Sequence, residues 1–189
     1  MRAGIDLDEV LAETLGDFLV YLNRRFGTAY TKDQCFSYNT AEVLGCSVDQ
    51  AVDLWHDFYR SPMFDQIQPV KGAVEGVNAL QNNELVLITS REEILKESTL
   101  HWINRHFPNR FSQVIYAKHF VLGGERKTKA EICDELGIDL FIDDSPEYAL
   151  TSSEKKDSHA VFAAVEPENK IASQSLPSLF VEGNRQFCR

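Results

Sequence analysis

The sequence predicts an α/β fold, a doubly wound parallel sheet, and three observations carry that prediction. Short apolar segments at Met1–Leu7, Leu85–Ile88, Val114–Tyr116 and Leu140–Ile142 alternate with stretches of helical periodicity. The run Leu85-Val86-Leu87-Ile88 is continuously apolar, as expected of a strand covered on both faces. Three of these segments lead directly into acidic or hydroxyl residues, and open α/β sheets place their ligands at the carboxyl ends of their strands. Strands that alternate with helices imply a parallel sheet with right-handed crossovers.

The first strand ends in Asp6-Leu7-Asp8. Alternate residues of an extended segment face the same way, so Asp6 and Asp8 are expected to converge. Two like charges that close repel unless a cation or a shared proton relieves them, and a hard divalent cation is the natural relief. Leu11, Leu15, Phe18, Leu19, Leu22 and Phe26 then recur at helical spacing, with Gly27 as the C-cap. Thr28–Leu44 is less regular and mixes turns with a short helix. Ser47 and Gln50 form a capping-box signature, opening a helix with Val48, Val52, Trp55 and Tyr59 on one face. Pro62 and Pro69 bracket a connection, and Gly72–Gln81 reads as a helix.

After the second strand, Glu93–His106 and Thr128–Leu136 read as helices, the latter closed by Gly137. Ala160–Val165 and Leu179–Val181 are expected to be further strands, and Thr151–Ser158 a surface loop or frayed helix. The stretch from Leu11 to Gln68 contains no strand pattern and is aromatic-rich. The expected organisation is therefore a core of residues 1–13 and 69–189, with residues 14–68 a small helical cap inserted after the first strand.

Composition narrows the function classes. At 189 residues the chain suits one domain with a modest insertion. A net charge of −10 argues against a nucleic-acid polymer as partner, because duplex binding needs clustered Lys and Arg. It does not oppose a small anionic substrate, since local cations dominate inside a cleft. No apolar run is long enough for a membrane span, and Asp6 and Asp8 interrupt any secretory pattern; a cytoplasmic location is expected. Cys35, Cys46, Cys133 and Cys188 form no CxxC pair and read as reduced, ordinary residues.

The informative residues cluster by strand end: Asp6 and Asp8 after the first, Thr89-Ser90-Arg91 after the second, Asp143-Asp144 after Leu140–Ile142. Lys127 and Lys129 sit at the start of a helix between them. Each has an ordinary explanation alone: a chance acidic pair, a helix cap, a turn, a solvated helix end. All of them falling on one edge of one sheet favours a site. His101 and His106 lack the i, i+4 spacing of a helical zinc pair and read as packing or surface residues. Phe18, Trp55, Phe58 and Tyr59 read first as core, with stacking on a nucleobase as the alternative.

These segments resemble the four motifs of haloacid dehalogenase (HAD) superfamily phosphatases. Gly4-Ile5-Asp6-Leu7-Asp8-Glu9-Val10-Leu11-Ala12 is similar to the first, Leu87-Ile88-Thr89-Ser90 to the second, Lys129-Ala130-Glu131-Ile132-Cys133 to the lysine-bearing third and Phe141-Ile142-Asp143-Asp144-Ser145 to the acidic fourth. The order is that of the family and the match runs from Gly4 to Ser145. The helical cap, the Thr-Ser pair and the double Asp most resemble the 5′(3′)-deoxyribonucleotidase-like proteins, the cytosolic type C 5′ nucleotidases. Two departures bear on substrate preference: Glu9 stands where many relatives have Gly, and Arg91 where the deoxyribonucleotidases tend to have Pro.

The resemblance implies a HAD-like Rossmannoid core and a Mg2+-dependent phosphatase acting on a small phosphorylated metabolite, first of all a nucleoside monophosphate. It implies Asp6 as nucleophile forming an aspartyl phosphate and Asp8 as general acid and base. Metal ligands would come from Asp6, the Asp8 backbone carbonyl and Asp143, with Asp144 orienting water or the lysine. Thr89, Ser90 and Arg91 would contact substrate, and Lys129 would supply positive charge, with Lys127 the competing lysine. Asp8 favours phosphate ester hydrolysis over carbon–halogen cleavage, which needs no second acid there. The alternatives are a phosphatase for another metabolite such as a sugar phosphate, and a non-catalytic phosphate-binding module on the same fold.

Overall fold

The computed structural model describes residues 1–35, 37, 39–117, 127–145 and the strand at 161–163. They separate into two compact units: Met1–Ala12 with the described residues from Pro69 onward, and Glu13–Gln68.

The first unit is built on five strands, β1 (Arg2–Ile5), β2 (Glu84–Thr89), β3 (Phe111–Tyr116), β4 (Leu140–Ile142) and β5 (Val161–Ala163), in the order β3-β2-β1-β4-β5. Every pairing is parallel. The chain leaves the central β1 to build one flank with β2 and β3, then crosses to build the other with β4 and β5. Such a reversal of direction beside the central strand is where doubly wound sheets bind ligands.

The register explains the sequence pattern. Leu85 through Thr89 are all buried, as a strand covered on both faces requires. Val86 and Ile88 pack with Ala117, Ile132, Cys133, Ile138 and Phe141 in one apolar cluster. Gly4 sits where a Cβ would lie 2.8 Å from Phe141 Cδ2 and 3.2 Å from Ile88 Cδ1, so only glycine lets β1 approach that cluster. The edge strand β3 leaves Ser112 and Gln113 exposed. Helices α4 (Ala73–Ala79), α5 (Lys96–His106) and α6 (Lys129–Leu136) belong to this unit.

The second unit holds α1 (Thr14–Phe26), α2 (Thr40–Leu44) and α3 (Val48–Tyr59), with short 3-10 turns at Lys32–Gln34 and Phe64–Gln66. Gly27 closes α1 in the left-handed region at φ 66°, and Ser47 and Gln50 form the capping box of α3. Phe18 and Phe58 are fully enclosed. Phe18 stacks on Trp55 at 3.7 Å between ring centroids, and Phe58 meets Phe64 edge-on at 5.6 Å. The aromatic set thus packs largely on itself.

Several expected boundaries move. β1 stops at Ile5, two residues early, because the chain turns sharply from Leu7. The Leu11 and Ala12 N–H groups both donate to the Leu7 carbonyl at 2.8 Å, and Glu9 N–H donates to Ala12 at 2.8 Å. That turn buries Leu7, Val10 and Leu11, so Leu11 belongs to it rather than to α1. The expected helix at Glu93–His106 divides into a 3-10 turn at Glu93–Leu95 followed by α5. The expected strand at 179–181, the polar stretch 151–158 and the tail from 166 lie outside the described residues. Among the described residues no helix is long and apolar enough to cross a membrane.

Candidate active site

The carboxyl ends of β1, β2 and β4 deliver most of the predicted site residues. Asp6 follows β1 directly, and its N–H makes a last sheet-like bond to the Ile142 carbonyl at 2.9 Å. This sets Asp6 beside the end of β4, where Asp143 and Asp144 follow. One oxygen from each of Asp6, Asp143 and Asp144 falls within a group 4.8 Å across. Asp143 is fixed from both sides: Oδ1 accepts the Ser145 N–H at 2.7 Å and Oδ2 accepts from Lys129 Nζ at 2.8 Å.

Lys129 is presented by its helix. Thr128 caps α6, accepting the Glu131 N–H while Glu131 reaches back to the Thr128 N–H, so Lys129 is the first helical residue. A cation there opposes the helix dipole at a cost of about 0.3–1 kcal/mol. Two carboxylates offset it: Nζ lies 2.8 Å from Asp6 Oδ1 and 2.8 Å from Asp143 Oδ2. Lys127, the competing lysine, instead pairs with Glu135 at 2.7 Å in an exposed position.

Three carboxylates and one ammonium leave this buried cluster short of positive charge. Burial pushes the Asp6 carboxyl up to about 8; Lys129 opposes the rise and Asp143 adds to it. Burial, with Asp143 beside it, raises Asp144 to about 7. Burial alone would pull Lys129 down, but Asp6 and Asp143 outweigh it and hold the ammonium above its ordinary value. An all-oxygen donor set of three neighbouring carboxylates fits a hard divalent ion such as Mg2+.

Asp8 follows a different course from the one its spacing suggests. Because β1 ends at Ile5, Asp6 and Asp8 are not successive same-face positions of one strand. The Asp6 carboxylate meets Lys129, whereas Asp8 receives Arg91: Nη2 donates to Oδ1 at 2.7 Å and Nε to Oδ2 at 3.0 Å. Each of the two carboxylates thus has a side-chain cation beside it, while the Asp8 charge still adds to the rise at Asp6. The Asp8 carboxylate stands apart from the group formed by Asp6, Asp143 and Asp144; the Asp8 ligand that the family pattern implies is its backbone carbonyl.

Thr89, Ser90 and Arg91 leave β2 at the same edge. Thr89 is fully buried, and its Oγ1 accepts the Arg91 N–H at 3.1 Å, which leaves its hydroxyl hydrogen to donate. Ser90 is half-buried. Arg91, expected to contact substrate, is buried, and its guanidinium engages Asp8 and Thr99. Thr99 was missed from the sequence. Its signal is a polar residue on the buried stripe of α5, three and four residues before Trp102 and Ile103.

A family model described as 5′ nucleotidase, deoxy (Pyrimidine), cytosolic type C protein matches residues 1–160. The chain is 25% identical over 154 residues to a candidate nucleotidase from Halalkalibacterium halodurans, covering 81% of this chain and 74% of that protein. Among solved structures, a haloacid dehalogenase-like family hydrolase from Streptococcus pneumoniae superposes with a TM-score of 0.60 at 12% identity, over 88% of this chain and 94% of that one. A candidate HAD hydrolase from Bacillus subtilis, solved with magnesium bound, gives 0.57 at 17% identity, over 90% and 91%. At these identities the two structures speak to the fold alone, which is that of HAD hydrolases.

Proposed function

The chain belongs to the cytosolic type C 5′ nucleotidase (deoxy) family, and from that premise we propose that it is a Mg2+-dependent phosphatase of (deoxy)nucleoside 5′-monophosphates working through an aspartyl phosphate on Asp6. The observation that carries this reading is Lys129 bridging Asp6 and Asp143 at 2.8 Å each, with Asp144 in the same group. A metabolite-binding module without chemistry has no need to bury that much like charge.

In this reading an Asp6 oxygen attacks phosphorus as the bond to the leaving oxygen breaks. Asp8 gives its proton to the departing alkoxide, then takes one from the water that hydrolyses the aspartyl phosphate. Lys129 neutralises charge on the nucleophile and the phosphoryl oxygens. The Thr89 hydroxyl and backbone N–H groups near Ser90 hold a phosphoryl oxygen. Asp6, Asp143 and the Asp8 backbone carbonyl would hold Mg2+, with Asp144 beside them. When bound, the ion screens the repulsion between carboxylate and phosphate dianion. The magnesium bound in the Bacillus subtilis neighbour is in keeping with this.

The test is turnover of purified protein on a panel of nucleoside monophosphates and sugar phosphates, with and without Mg2+, alongside Asp6→Asn. Nucleotide turnover that needs both Mg2+ and Asp6 is the expected result. Sugar phosphate turnover without nucleotide turnover overturns the substrate assignment, and activity that survives Asp6→Asn overturns the mechanism.

A further inference from the structure

The proposed mechanism leaves unused a buried, multiply bonded cation at the site. Arg91 reaches Asp8 through three contacts: Nη2 to Oδ1 at 2.7 Å, Nε to Oδ1 at 3.1 Å and Nε to Oδ2 at 3.0 Å. Its third nitrogen, Nη1, donates to Thr99 Oγ1 at 3.3 Å, and its backbone N–H is tied to Thr89. Only 4% of the Arg91 side chain is exposed, against 33% of Asp8. The guanidinium is therefore a fixture of the end of β2 and of α5, while the carboxylate it grips keeps an open side.

We propose that Arg91 is a positioning residue, which holds the Asp8 carboxylate at a fixed place and angle for proton transfer to and from the substrate oxygen. The inference rests on the nucleotidase reading above for the role of Asp8. A side-on fork fixes both position and plane of a carboxylate, where a single ammonium fixes only distance. Asp8 needs such a hold because it lies in the turn after β1, outside the sheet ladder. General acid catalysis depends on geometry before anything else, and a misplacement of about 1 Å can cost about 10²-fold in rate. Proline, which the deoxyribonucleotidase pattern tends to place at this position, could not supply the fork.

Two measurements decide it. The first compares Arg91→Gln and Arg91→Lys on a nucleoside 5′-monophosphate, whose alkoxide must be protonated, and on 4-nitrophenyl phosphate, whose leaving group needs no proton. Arg91→Gln is expected to lower the single-turnover rate of nucleoside release about 10- to 100-fold with KM little changed, and to leave single-turnover release of 4-nitrophenolate nearly unaffected, because with that substrate Asp8 acts only at the later hydrolysis of the aspartyl phosphate. Arg91→Lys, which keeps the cation but loses the fork, should fall between. In an Asp8→Asn background Arg91→Gln should cause no further loss, as expected of residues acting in series. Equal losses in the leaving-group release step of both substrates, a KM rise, or additivity with Asp8→Asn overturns the proposal.

The second measurement needs no turnover: crystal structures of the parent and of Arg91→Gln. Asp8 should occupy one rotamer in the parent and leave it in the variant; an Asp8 unmoved by loss of Arg91 overturns the proposal. Absence of turnover dependent on Asp6 in the parent would instead remove the nucleotidase reading, and the Asp8 rotamer would still decide whether Arg91 positions it.

Discussion

The Lys129 ammonium lies 2.8 Å from Asp6 Oδ1, with 5% and 7% of the two side chains exposed. Removing one partner of a buried pair typically costs about 3–5 kcal/mol because the other is left uncompensated. Lys129→Met is therefore expected to cut phosphatase kcat by about 10²-fold or more and to lower stability measurably in urea. Lys127→Ala removes an exposed pair with Glu135, so stability should change by less than about 0.5 kcal/mol with activity intact. Comparing the two variants tests which lysine serves the site.

The raised carboxyls make a prediction about pH. Asp6 moves from 3.8 to about 8 and Asp144 from 3.8 to about 7, so the folded state retains protons that the unfolded chain has released. Below 3.8 both states are protonated and these groups contribute no penalty; the penalty grows as pH rises and is complete near 8. The stabilisation from the raised Lys129 is fully present below its ordinary 10.5 and is lost only above it, so it is constant across that window. Protein freed of divalent cations should lose thermal stability from pH 5 to pH 8, and Mg2+ should raise Tm more at pH 8 than at pH 6. A Mg2+ effect independent of pH would contradict this account.

Gly4 offers a packing test remote from the chemistry. A Cβ there would meet the buried Phe141 ring at 2.8 Å. Gly4→Ala should destabilise by about 1–3 kcal/mol through overpacking, read from denaturant midpoints. Because β1 also carries Asp6 past its end, kcat should fall as well.

Glu9 holds a left-handed backbone at φ 61°, which costs a residue with a Cβ about 1–2 kcal/mol. Glu9→Gly should stabilise the protein by up to about 1 kcal/mol, the gain reduced by the greater freedom of glycine in the unfolded chain. The Glu9 charge also raises the Asp144 carboxyl, so the same substitution should bring that group closer to its ordinary value and make the loss of stability between pH 6 and pH 8 smaller. Denaturant unfolding at pH 6 and 8 checks both effects.

What the sequence could carry and what it could not divides along physical lines. The β2 run and the residues after it were legible because a fully buried strand admits no polar interruption until it ends. The capping box at Ser47 was legible because its hydrogen bonds span three residues. Asp6, Asp143 and Asp144 were legible as a group because parallel strands align their carboxyl ends. The Arg91–Asp8 contact was not, since it joins side chains 83 positions apart through a turn that no periodicity marks. The end of β1 was misjudged for the same reason: Leu7 is apolar and buried like a strand residue, yet serves the turn.

The parallel pairing that brings Asp6 beside Asp143 also dictates an order of assembly. The Arg2–Ile5 strand takes β2 on one flank and β4 on the other, and the second partner is made last by some 50 residues of synthesis after the first. Until Leu140–Ile142 has left the ribosome, the centre of the finished sheet is an open edge, with unpaired N–H and C=O groups that invite a second chain. The segment that leads into Asp6 is, for that interval, a part of the nascent polypeptide that a chaperone would shield.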